Sequence, residues 1–93
     1  HKALELYRQA LPILRELKHK EFEANTWNSA GSIYQVLAQL ENAAESFQAA
    51  LSLYRQIKDD DGEAGALFNL GIISHDAARF DAAIRYYEEA LSI

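Results

Sequence analysis

The chain superposes on itself at an offset of 40 residues, and the positions that recur are those that build a pair of packed helices. Ala3, Ala43 and Ala83 fall in register. So do Tyr7, Phe47 and Tyr87, then Ala10, Ala50 and Ala90, then Leu11, Leu51 and Leu91. Gly31 matches Gly71, Ile33 matches Ile73, and Glu23-Ala24 matches Glu63-Ala64. Roughly fifteen of about 53 superposed positions are identical, and most others keep their apolar or polar character. A period of this length means supersecondary units that cannot bury their apolar face alone and stack into one shared core. Such arrays usually bind along a surface and rarely carry out chemistry.

Composition narrows the elements and the partners. One proline, four glycines and the absence of β-branched alternating runs predict an all-α chain. A net charge of -5 and a pI near 5.0 argue against nucleic acid, whose phosphates require a basic face. With no cysteine there is no disulfide and no thiolate metal site. No apolar run approaches the ~18 residues of a membrane helix, and no signal peptide is present. We expect a cytoplasmic protein with no membrane partner and no cofactor. His1 has no methionine before it, so the expectation is a piece of something longer or a chain with its leader removed.

Apolar spacing predicts five helices, over 2–18, 22–38, 41–58, 63–77 and 81–93, with breaks near 19–21, 39–41, 59–62 and 78–80. The run Asp59-Asp60-Asp61-Gly62 is expected to end the third helix, the glycine taking a left-handed conformation and an aspartate capping the next helix. Pro12 lies inside the first segment, where it removes the bond to the Arg8 carbonyl; a kink is expected rather than a stop. Small residues (Ala30, Gly31, Gly71, Ala43, Ala83) stand where helices must approach closely. Trp27, Tyr34, Phe47, Phe80 and Tyr87 are expected to fill the space beside them.

Two local patterns carry a family resemblance. The first is Trp27-x-x-Ala30-Gly31-x-x-Tyr34, then Ala43-x-x-x-Phe47, then Ala50. The second is Leu67-x-x-Leu70-Gly71-x-x-Ser74, then Ala83-x-x-x-Tyr87, then Ala90. Both resemble the tetratricopeptide repeat, whose common form has about 34 residues. The longer period is similar to that of bacterial and kinesin-light-chain-like arrays. The resemblance implies antiparallel helix pairs stacked as a right-handed superhelix. It divides the chain into the second helix of a preceding repeat (1–21), repeat one (22–61) and a truncated repeat two (62–93).

No constellation points to catalysis. His75 and Asp76 are adjacent on a helix, about 100° apart, and cannot form a base with its orienting carboxylate. The run from Asp59 to Glu63 is too short for a calcium loop and fits a solvated cap. His1, His19 and His75 lack metal spacing. The resemblance instead implies a non-enzymatic protein-interaction module that binds a peptide or partner helix along the concave face lined by the first helix of each repeat. Carried over residue by residue, that groove contains Asn25, Asn28, Ser32 and Gln35 from repeat one, and Phe68, Asn69, Ile72 and Arg79 from repeat two. Asn69 falls where related long repeats hold a peptide main chain; Ser29 stands there in repeat one. The carboxylate clamp of chaperone-binding repeats is excluded, because Asn28, Ser32 and Gln35 are uncharged and Arg79 is alone. The alternative is a structural or sensory segment of a multidomain bacterial regulator with no ligand of its own, or a self-association module. For the last, the first helix is expected to present Leu4, Leu11 and Leu14, and the last helix Ile84, Tyr87, Leu91 and Ile93, for end-to-end contact.

Overall fold

The computed structural model describes residues 1–93 and consists of five α-helices: α1 Lys2–Glu16, α2 Lys20–Val36, α3 Leu40–Gln56, α4 Asp60–Asp76 and α5 Phe80–Leu91. Each packs on the next through three-residue turns, which forces antiparallel succession. Helices α2 and α4 form one layer, and α1, α3 and α5 the other. A slab of 37 × 30 × 13 Å follows: helices of 17 residues run along one axis, and two layers of axes separated by an ordinary packing distance give the thickness.

The last four helices start at Lys20, Leu40, Asp60 and Phe80, so the geometry repeats at half the sequence period. The turns explain why. In each, one residue is left-handed: Lys18 (φ 59°), Ala38 (59°), Lys58 (57°) and Ala78 (61°). The amide of that residue bonds three back and the next amide bonds five back, as in Lys18→Arg15 (3.1 Å) and His19→Leu14 (3.0 Å). All four turns repeat this pattern, which is the Schellman motif. The expectation for Gly62 is therefore corrected. No glycine has positive φ; Lys58 takes the left-handed position, and Gly62 lies in the first turn of α4. The capping expectation holds, with Asp59 accepting from the Gly62 amide at 3.0 Å. Helix α4 consequently begins at Asp60 rather than residue 63, and α2 at Lys20 rather than residue 22. Helix α1 runs through Pro12 to Glu16 without stopping.

The core centres on α3. Phe47, Ala43 and Ala50 are fully enclosed, with Leu51, Tyr54, Leu67 and Leu70 around them. Gly31 is needed beneath Phe47: a Cβ there would lie 2.6 Å from the ring. Gly71 stands in the same relation to Tyr87, at 2.4 Å. An ion pair recurs with the repeat, Arg15–Glu23 at 3.5 Å and Arg55–Glu63 at 3.0 Å, joining a second-layer helix to the first-layer helix that follows. Several assignments of core residues need correction. Phe80 is 55% exposed, while Trp27, Tyr34 and Tyr87 are half-buried. Leu4 and Leu11, expected on an open face, are buried, because the α1 stripe turns toward α2 and α3; Leu6, Ile13 and Leu17 are exposed instead. On α5, Ile84, Leu91 and Ile93 are exposed as expected.

Candidate functional site

On α2, Asn25, Asn28, Ser32 and Gln35 follow i, i+3 and i+4 spacing and share one helical face; on α4, Phe68 and Asn69 lie about 100° apart with Ile72 between them, four and three residues on. The two faces meet. Asn69 Nδ2 donates to Asn28 Oδ1 at 3.2 Å, across two successive repeats. Both amides are half-buried. Their mutual bond leaves one amide nitrogen and one amide oxygen of the pair without a partner in the chain, which is the donor-and-acceptor complement of a peptide unit.

The remaining expected residues differ in what holds them. Ser32 Oγ donates to the Asn28 carbonyl at 3.3 Å, back onto its own helix. Gln35 is half-buried and its side chain makes no hydrogen bond within the chain. Ile72 is half-buried beside Asn69. Phe68 leans on Tyr87, with ring centroids 5.2 Å apart. Asn25 is occupied within the fold, since its Oδ1 accepts from the Tyr54 hydroxyl at 2.6 Å. Tyr54 is 5% exposed and rests on Gly62, where a Cβ would lie 2.3 Å from its ring, so this one side chain ties α2, α3 and α4 together. Burial pushes its hydroxyl above the ordinary tyrosine value, and the carboxylates of Asp59 and Glu21 add to the shift. Arg79 does not join the others. It lines a crevice on the opposite layer with Leu40 and Glu41, because the α4–α5 turn places it at the end of α4, beside the start of α3.

That opposite layer holds features not evident from the sequence. Between α3 and α5 lies a crevice of about 330 Å³, floored by Leu70, Ile73, Ser74 and Ala77. Gln48 Nε2 donates to the Tyr86 hydroxyl at 3.0 Å across it. Between α1 and α3 lies its repeat equivalent, of about 260 Å³. For the α3–α5 crevice the signal in the sequence is a loss of bulk, Ala44 standing where the other copies carry Leu4 and Ile84; the α1–α3 crevice forms with Leu4 in its lining.

His75 Nδ1 lies 3.9 Å from Asp76 Oδ1, beyond hydrogen-bonding distance, and both are exposed. No three His, Asp or Glu side chains gather as metal ligands. No helix is long and apolar enough to cross a membrane. Compared with known families, the chain matches the tetratricopeptide repeat over residues 22–93. No curated protein matches it.

Proposed function

Since the chain belongs to the tetratricopeptide repeat family, a non-catalytic scaffold whose members generally serve protein–protein interaction, we propose that its α2–α4 face binds the main chain of a peptide or helix from a partner protein. The observation that carries this reading is the Asn28–Asn69 pair. Two amides from successive repeats, already oriented by each other, offer a donor and an acceptor with little side-chain entropy left to lose. Ile72 and the exposed Phe68 supply apolar contact beside them. Gln35 extends the polar row along α2. Asn25 and Ser32 flank the pair, each with one bond spent inside the fold and its remaining polar atoms exposed. Arg79 lies outside it.

The test is a peptide selected from a random display library against the chain, followed by amide chemical-shift mapping. Shifts should centre on Asn28, Asn69 and Ile72. Asn69→Ala should weaken binding by about 1–3 kcal/mol, the cost of an unmade buried hydrogen bond, while loss of its bond to Asn28 should lower the stability of the free chain by about 1 kcal/mol or less. Shifts confined to Glu45 and Glu89 would refute the assignment of this face.

A further inference from the structure

The crevice between α1 and α3 is bordered by three aromatic rings, whereas its repeat equivalent is bordered by one, Tyr86. Tyr7 from α1 and Trp27 and Tyr34 from α2 border the same volume of about 260 Å³. In the α3–α5 crevice the positions of Trp27 and Tyr34 are taken by Leu67, fully buried, and Ser74. All three rings are half-buried and border the crevice, and Trp27 and Tyr34 also pack against the core. Glu45 of α3 stands on the rim. It is exposed, borders the α3–α5 crevice as well, and, like most glutamates of the chain, has no Lys, Arg or His nitrogen within 4 Å of its carboxylate. A ring face attracts a cation through its quadrupole, and methyl groups on that cation bury apolar area against the same rings. An unpaired carboxylate at the rim adds a full negative charge in a chain of net charge -5.

We propose that Tyr7, Trp27, Tyr34 and Glu45 form a binding site for an alkylated ammonium group, on the layer opposite the α2–α4 face and independent of the function proposed for that face. Arg8 also borders the crevice. Its like charge opposes such a ligand, and this gives the proposal a signature: removing Arg8 strengthens the site, and neutralising Glu45 weakens it. An anion site would show the reverse. Ser46 and Asn42 complete the α3 wall and carry no charge.

Trp27 is the only tryptophan, so its emission reports on the site directly. The chain is titrated with tetramethylammonium chloride, with sodium chloride at equal ionic strength as the control, and with a glycine-rich hexapeptide carrying one trimethyllysine. A saturable change in emission with tetramethylammonium and none with sodium is expected. Glu45→Gln should weaken it about two- to fivefold, the worth of one exposed ion pair, and Arg8→Ala should tighten it by a similar factor. Both positions are exposed, so thermal melts of the variants should match the parent. The peptide binding at least tenfold tighter assigns the site to a partner's side chain; equal affinity assigns it to a free head group. A response that never saturates, that sodium reproduces, or that Glu45→Gln leaves unchanged overturns the proposal. If Glu45→Gln unfolds the chain, Tyr34→Leu replaces it, with loss of the tetramethylammonium response as the required result.

Discussion

Helices α3 and α5 carry the repeat's alanine, aromatic ring, alanine and leucine in the same register and bury them differently. Phe47 is fully enclosed and Tyr87 half-buried; Leu51 is 3% exposed and Leu91 87%; Ala50 is sealed and Ala90 is not. The helix that each one follows is equivalent: Gly31 under Phe47 and Gly71 under Tyr87 make the same close approach. What differs is the far side. Helix α3 has α4 packed against it, which adds Leu67 and Leu70 to its core, and within residues 1–93 α5 has no such neighbour. Burial in this fold is thus conferred by the next helix along the stack and is not a property of the motif itself.

Paired substitutions can break or sharpen that contrast. The largest difference should come from the ring. Phe47→Ala should cost about 3–5 kcal/mol, enough to unfold a chain of this size. Tyr87→Ala should cost well under half as much, because its ring is already partly in water. Urea midpoints would settle this, and equal losses would mean the stack does not set burial. Leu51→Ala should cost about 2–5 kcal/mol, whereas Leu91→Ala should stay within about 0.5 kcal/mol of the parent. Gly31→Ala should cost about 1–3 kcal/mol through overpacking. At Gly71 the cost should be smaller, since the half-exposed Tyr87 ring can tilt away while Phe47 cannot; thermal melts of the two variants would rank them.

Two further experiments probe features on which the helices should not differ, or which only α3 possesses. Tyr54 has a hydroxyl whose folded-state pKa lies above its unfolded value of 10.0. Below pH 10 both states are protonated and the group has no effect on stability. Above it the unfolded chain ionises first, so stability should fall as pH rises from about 10 through the folded-state pKa. Urea midpoints from pH 9 to 11 should show that fall, and Tyr54→Phe should reduce it. The smallest effect concerns the turns. Ala38→Gly and Ala78→Gly should each stabilise by about 1 kcal/mol, by relieving a left-handed β-carbon. The gains should be equal, since φ is 59° and 61°. A clear difference between them would show that the turns, too, depend on their neighbours.

The helix pairs were legible in the sequence because small residues such as Gly31 and Gly71 recur opposite rings at a fixed offset, a signal that needs no tertiary knowledge. The turns were less so. Lys18, Ala38, Lys58 and Ala78 bear β-carbons, so local reasoning singles out Gly62, the one residue nearby with freedom to be left-handed. Yet Gly62 is there to admit Tyr54, a contact between different helices that local spacing cannot reveal. The candidate site was legible as two faces. Their meeting through Asn28 and Asn69 depends on how repeats stack, as do the misplacement of Arg79 and the crevices of the opposite layer. The family resemblance points toward one layer, while the exception at Ala44 lies on the other.

The recurring three-residue turn has a kinetic consequence. Because it reverses the chain at a spacing of 20 residues and each helix packs chiefly on its immediate neighbours, hardly any contact requires closure of a long loop. The hydrogen bond that spans the greatest stretch of chain, Asn69 to Asn28, links residues 41 apart. Chains dominated by such near-sequence contacts cross their folding barrier in microseconds to milliseconds. Any adjacent hairpin can act as nucleus, so adding repeats would lengthen the structure while leaving the rate-limiting event much as it is in these five helices.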